Sequence, residues 1–274
     1  MTPLVDAAWV VAHPDVLLFD ATFYMPAEQR DAVAEFRATH LPGAQFFDIG
    51  VYADPDTALP HMVPSAGRFE RLMRAAGVSD SSRVVFYDQK GVATSPRGWW
   101  LMGLFGHDQV AVLDGGLPAW IAAGLPVETG DAGLRPPGHF TARLSTGRLR
   151  GLGDMMAATP DAALVLDARS TGRFRGTEPE PRAGLPSGHM PGAGNIPSGT
   201  VTAGGRMLPP AELRALFAAA GDDGTRPVVT TCGSGVTATV LTFARTVAGL
   251  PPGAVYDGSW TEWASQPDTA KEIG

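Results

Sequence analysis

Residues 227–244 read PVVTTCGSGVTATVLTFA. An apolar, β-branched run stops at Cys232, the single cysteine of a 274-residue chain. Gly233, Ser234, Gly235, Val236 and Thr237 follow, and then apolar residues continue at helical spacing. A buried strand, a glycine-rich turn and a helix in that order predict an α/β fold with a largely parallel sheet. In such sheets ligands bind beyond the carboxyl ends of the strands, and Cys232 stands at one of those ends. A glycine-rich turn opening a helix points several backbone N–H groups inward and adds the positive end of the helix dipole, a field that favours a thiolate. The glycines also permit positive φ and let a ligand approach the backbone closely. Free cysteine is among the most buried residue types, so position alone leaves an inert core thiol as the competing reading.

The rest of the chain echoes this unit. THLPGAQFF (39–47) returns as GHMPGAGNI (188–196), and LLFDAT, with Asp20, returns as LVLDAR, with Asp167. Phe69, Leu72, Met73 and Ala76 precede RVVFYD just as Leu213, Leu216, Phe217 and Ala220 precede RPVVTTC. LDGGLPAW (113–120) matches YDGSWTEW (256–263). The separations drift only from 143 residues (Trp120 to Trp263) to 149 (His40 to His189). Four blocks in one order predict two copies of one domain, at 1–128 and 150–274. The Gly-, Pro- and Arg-rich stretch 129–149 reads as the linker. In the first copy Asp88 occupies the position of Cys232, so one copy is expected to be active and the other inactive. Within the copies ALVLDAR, VVTTC and GAVYDG read as strands. PAELRALFAAAG reads as a helix, with Pro210 in its first turn and Gly221 as its stop.

Composition narrows the function classes. A formal net charge of −7 argues against nucleic acid or an anionic membrane as a partner. One cysteine forms no internal disulfide. The opening MTPLVDAAWVVAHPDVLLFDA lacks a basic n-region and is broken by Asp6, His13, Pro14 and Asp15, unlike a signal or transit peptide. No apolar run approaches the ~18–20 residues of a membrane span. A soluble, cytoplasmic protein is expected. No Cys/His spacing suggests a metal site and no glycine fingerprint suggests a nucleotide, so neither metal nor cofactor is expected.

CGSGVTA, GRFRGTEPEPR, SGHMPGAGNIP, LDGGLPAW and YDGSWTEW together resemble the two-domain rhodanese family, and more narrowly its mercaptopyruvate branch. The resemblance runs in order over nearly the whole chain. It implies a tandem of two rhodanese-like domains, each a mostly parallel sheet flanked by helices, with the catalytic cysteine in the second. It implies transfer of a sulfane sulfur from 3-mercaptopyruvate through a Cys232 persulfide to a thiol, thioredoxin or cyanide, releasing pyruvate. The amides from Gly233 through Thr237 would stabilise the outer sulfur, and Arg173 and Arg182 match the family's two substrate-carboxylate arginines. Planar guanidinium groups suit that task, although Glu178 and Glu180 interleave with these arginines as ordinary ion-pair partners would. Arg175 is expected to be structural. Ser234 matches the serine of a proton relay and His61, in the first copy, its histidine, which predicts a site between domains. At the relay's carboxylate position this chain has Gly50, with Asp48, Asp54 and Asp56 nearby but unaligned.

His40 and His189 recur in both copies and are expected to be structural. Trp99, Trp100, Trp120 and Trp263 are expected in the core, and the DGG and DGS turns are read as fold determinants. Family members that use thiosulfate resemble this chain but carry basic residues just after the cysteine, where Gly233 and Ser234 are uncharged. A thiosulfate:cyanide sulfurtransferase is therefore the nearest rival. A cysteine phosphatase would need an arginine at 238, which is alanine. A sulfide or redox sensor fits less well, because no second cysteine resolves an oxidised thiol and both arginines are kept.

Overall fold

The β-branched runs become short strands in the computed structural model, which describes residues 1–157 and 162–274. In chain order they are β1 (Leu4–Val5), β2 (Leu17–Asp20), β3 (Gln45–Phe46), β4 (Val84–Tyr87) and β5 (Val110–Leu113), then β6 (Leu149–Arg150), β7 (Leu164–Asp167) and β8 (Gly194–Asn195). The short β9 (Thr202–Ala203) and β10 (Arg206–Met207) stand outside both large sheets, and β11 (Val228–Thr231) and β12 (Ala254–Tyr256) complete the set. The first sheet has the order β1-β5-β4-β2-β3 and the second β6-β12-β11-β7-β8, which is the same order twice. Every neighbouring pair in both is parallel. The fold is a tandem of two α/β domains, as the internal repeat predicts.

The chain divides into two compact units. One comprises Met1–Pro55, Val63–Ser145 and Gly204–Met207, the other Asp56–Met62, Thr146–Ala203 and Leu208–Gly274. The stretch read as a linker is itself packed. Phe140 is fully buried, and the amides of Arg143 and Ser145 donate to the carbonyls of Phe105 and Leu104 at 2.9 and 2.8 Å, all within the first unit. Its last residue, Leu149, opens the edge strand β6 beside β12.

Burial explains the composition of the central elements. All four residues of β4 and of β11 are buried, so these strands are apolar without alternation. The helix Ser95–Leu104 that follows β4 is buried at every residue, and the helix Ala238–Val247 that follows β11 is buried from Ala238 to Arg245. Fully burying an aliphatic or aromatic side chain contributes about 1.5–3 kcal/mol, and the cores of Val85, Tyr87, Leu113 and Trp120 in one unit and Val229, Tyr256, Trp260 and Trp263 in the other supply that term. Trp99 and Trp100 are buried too.

His40 and His189 hold matching places. Their Nδ1 atoms lie 2.8 and 2.9 Å from the carbonyls of Phe36 and Phe174, and each ring stacks on that phenylalanine. The helix Pro210–Ala219 ends before Gly221, which takes φ 86°, the left-handed conformation glycine adopts without strain. No helix among the described residues is long and apolar enough to cross a membrane.

Candidate active site

The register of the second sheet fixes where the thiol goes. β11 is its middle strand, Thr231 pairs with Asp167 at the carboxyl end, and Cys232 is the next residue, 2% exposed. The backbone then turns through Gly235 at φ 78° into the helix Ala238–Val247. The turn's carbonyls are drawn away from this helix start. Trp260 N donates to Cys232 O at 2.9 Å, and Thr261 donates to Gly233 O from its amide (3.0 Å) and its hydroxyl (2.6 Å).

Only some of the loop amides are engaged. Those of Cys232 and Gly235 donate to Ser259 Oγ at 3.2 and 3.0 Å. Those of Ser234, Val236 and Thr237 have no acceptor among the described residues. Buried amides are almost always paired, so a run of vacant donors at a helix start beside a thiol marks a place for an anion.

The first unit shows the same turn with its anion built in. Asp88 leaves the end of β4 as Cys232 leaves β11, and its carboxylate is fully buried. One oxygen, Oδ2, accepts from the amides of Ala93, Thr94 and Ser95, each at 2.9 Å, and from the Ser95 hydroxyl at 2.7 Å. Oδ1 accepts from Lys90 N at 3.0 Å. Leu117 N donates to Asp88 O as Trp260 N does to Cys232 O. In repeat register, the amides gripping Asp88 correspond to those of Ser234, Thr237, Ala238 and Thr239, of which Ser234 and Thr237 are among the vacant ones and Thr239 N donates to Val236 O at 3.2 Å. The turn is an anion cradle, and residue 88 fills it with a carboxylate where residue 232 offers a sulfur.

Two guanidinium groups overhang the thiol loop. A Cβ on Gly233 would lie 2.9 Å from Arg173 Nη2 and 3.8 Å from Arg182 Nη1, so glycine is what leaves room for them. Arg173 lies in the helix Thr171–Arg175, whose N-cap Ser170 hydroxyl accepts from Arg173 N and whose C-cap Gly176 is left-handed. Its guanidinium is gripped by Glu180, at 3.2 Å from Nε and 2.6 Å from Nη2. Glu180 also receives Arg169 Nη1 at 2.8 Å, and Arg169 in turn is paired with Asp167 and stacked over Trp260. Glu180, Arg169 and Asp167 have side chains at most 2% exposed. Burial pulls the Arg169 guanidinium down, but Asp167 and then Glu180 more than offset this and hold it above its ordinary value. A buried pair that loses one partner costs about 3–5 kcal/mol, so this alternating chain fixes Arg173 firmly.

Arg182 differs. It has no hydrogen bond or ion pair among the described residues. Burial lowers its affinity for a proton, the charge of Cys232 opposes that, and Arg173 adds to the lowering. The guanidinium stays charged, and it lacks an anion.

Ser234 is buried, and its Oγ lies 3.1 Å from His61 Nδ1, with the proton's position set by the histidine tautomer. His61 adopts φ 60°, an uncommon conformation for a residue with a Cβ. The domain limits drawn from the repeat put His61 in the first copy, whereas it lies in the second compact unit, which takes in Asp56–Met62. Ser234, Cys232, Arg173, Arg182 and His61 therefore all belong to one unit. Asp48 Oδ1 accepts from Gly50 N (2.8 Å) and Val51 N (3.3 Å), closing its own turn in the first unit. Arg175 is exposed, its carbonyl accepting from Gly274 N. No cluster of potential metal ligands is found among the described residues.

Sequence reasoning missed Arg169, Glu180 as a clamp, and Ser259. Arg169 and Ser259 had a faint signal in the repeat, where Arg169 stands against Thr22 and Ser259 against Gly116.

The geometry agrees with what the chain is similar to. The Rhodanese-like domain model matches residues 11–123 and 151–266. The 3-mercaptopyruvate sulfurtransferase of Rattus norvegicus is 40% identical over 271 residues, covering 95% of this chain and 91% of its own. That of Escherichia coli (strain K12) is 36% identical over 276 residues, 99% of this chain and 98% of its own. Among solved structures, SseA from Escherichia coli, a 3-mercaptopyruvate sulfotransferase, superposes with a TM-score of 0.85 at 33% identity, covering 95% of this chain and 99% of that one. Tum1 from Saccharomyces cerevisiae gives a TM-score of 0.88 at 30% identity, covering 98% and 97%.

Proposed function

The chain belongs to the rhodanese-like family, and from that premise we propose that it is a sulfurtransferase that takes sulfur from 3-mercaptopyruvate onto Cys232 and passes it to a small thiol, thioredoxin or cyanide. The observation that carries this reading is the unpaired Arg182 beside the clamped Arg173, both over Gly233. A 2-oxo acid brings one carboxylate to that pair. Bidentate recognition of a carboxylate is the geometry guanidinium groups favour.

The chemistry follows from the neighbours. With the carboxylate on the arginines, the Cys232 thiolate attacks the substrate's sulfur. A new S–S bond forms as the C–S bond breaks, and the electron pair leaves on carbon as the pyruvate enolate. The proton of the substrate thiol goes to that carbon, with the Ser234 hydroxyl and His61 as the relay. The products are pyruvate and a Cys232 persulfide whose outer sulfur is anionic. The amides of Ser234 and Thr237 then hold that sulfur as their first-unit equivalents, Lys90 N and Ala93 N, hold the Asp88 carboxylate. A preorganised donor of this kind contributes roughly 2.7–4 kcal/mol to stabilising developing charge. An acceptor thiolate or cyanide attacks the outer sulfur, forms a new bond to it and returns Cys232 as thiolate.

The same geometry favours this reading over the thiosulfate one. Beyond its two arginines the loop presents Gly233 and Ser234, with no added positive charge for a dianion. A larger residue at 233 would collide with Arg173. Steady-state kcat/KM for mercaptopyruvate should greatly exceed that for thiosulfate under one acceptor. Equal or reversed values would replace the proposed donor.

A further inference from the structure

The amides of Cys232 and Gly235 share one acceptor, the hydroxyl of Ser259, which itself donates to Tyr256 O at 2.9 Å. All the bonding capacity of that hydroxyl is used: two acceptances and one donation. Ser259 is fully buried, and it holds φ 53°, a region that costs a residue with a side chain roughly 1–3 kcal/mol when the surroundings impose it. Its counterpart in the first unit is Gly116, also at φ 53°, where that conformation is free.

The two cradles are therefore organised differently. In the first, the permanent carboxylate of Asp88 gathers the turn around itself from within. In the second, the central group is a thiol that must gain and lose a sulfur atom every turnover, so it cannot be the fixed point of the loop. Ser259 grips the loop from behind, at the nucleophile's own amide and at Gly235. That leaves the amides of Ser234, Val236 and Thr237 vacant. We propose that Ser259 is a positioning residue that keeps the persulfide cradle in its anion-binding shape whether or not sulfur is present. The inference rests on Cys232 being the sulfur carrier, and it assigns Ser259 no contact with substrate.

Ser259→Gly removes the hydroxyl at a position whose backbone suits glycine, and Ser259→Ala removes it while keeping a Cβ. In either folded variant, kcat for pyruvate release should fall by about tenfold to a hundredfold, less than or comparable to losing a direct oxyanion donor. KM should stay within about threefold, because Arg173 and Arg182 are untouched. The pH midpoint for alkylation of Cys232 by iodoacetamide should move upward by about one unit, reflecting a weaker field at the sulfur. A purely structural serine would lower Tm and leave that midpoint in place, and this result in the folded variants would overturn the proposal.

The alkylation measurement does not depend on the donor. If wild type released no pyruvate from mercaptopyruvate, the proposed function would fall while the midpoint still tested Ser259. Hydrogen exchange on the wild-type chain decides the matter if neither variant folds. The amides of Cys232 and Gly235 should be equally protected with and without bound sulfur, while those of Ser234 and Thr237 gain protection on loading. Protection of Cys232 and Gly235 that appears only on loading would show that sulfur, not Ser259, shapes the loop.

Discussion

Replacing Arg182 by methionine separates binding from stability. The guanidinium is half-buried, lies beside the like charge of Arg173 and has no ion pair or hydrogen bond among the described residues. Burial is the main force disfavouring its charge, and Arg173 adds to it. Methionine keeps most of the apolar stem and removes both unfavourable effects. What is lost is a charge-assisted contact to the substrate carboxylate, worth about 1.5–3 kcal/mol, and at about 1.4 kcal/mol per tenfold this predicts a loss in kcat/KM of about tenfold to 150-fold. The loss should appear mostly in KM, since the carboxylate is bound alike in ground and transition states. Steady-state pyruvate release and thermal unfolding of Arg182→Met provide both readings. The expected result is a raised KM with Tm unchanged or higher. A KM within twofold of wild type, or a Tm lowered by several degrees, would refute the assignment of Arg182 as a free carboxylate receptor.

Two further predictions concern buried carboxylates. Glu180→Gln keeps the shape of the clamp but removes the charge shared by Arg169 and Arg173; it should raise KM about three- to thirtyfold and also lower Tm, since one partner of a buried ion chain is lost. An unchanged KM would show that Arg173 holds its place without the clamp. In the first unit, burial raises Asp20 to about 6, with smaller opposing contributions from Thr22 and Gln89. The folded state therefore binds this proton more tightly than the unfolded chain does. Its contribution is complete below about pH 4 and is lost as pH rises through about 6. The stability of Asp20→Asn relative to wild type should thus move in the variant's favour by about 2–3 kcal/mol between pH 4 and pH 7, read by urea unfolding at both values. A difference independent of pH would show that Asp20 titrates normally.

The strands, the parallel sheets and the thiol loop were legible because their signals are local. A β-branched run must be a buried strand, and a glycine-rich turn before a helix must expose amides. The repeat extended that reading to Asp88, and the structure shows its carboxylate held by the amides of the equivalent turn. Ser259 and Arg169 were not legible in the same way. Ser259 acts on an amide 27 residues away, and Arg169 acts through Glu180, so neither role follows from spacing. His61 reached the site by resemblance alone, since its bond to Ser234 spans 173 residues. By sequence His61 lies within the first matched domain, residues 11–123, while the segment Asp56–Met62 that carries it groups with the second compact unit.

The central claim is that Cys232 carries the transferred sulfur. Intact-mass spectrometry of the protein mixed with mercaptopyruvate and no acceptor, followed by peptide mapping, tests it most directly. The wild-type chain should gain the mass of one sulfur atom on the Cys232 peptide, lose it when cyanide is added, and gain nothing as Cys232→Ser. Pyruvate released at the wild-type rate with no added sulfur, or by the folded Cys232→Ser chain, would contradict the account.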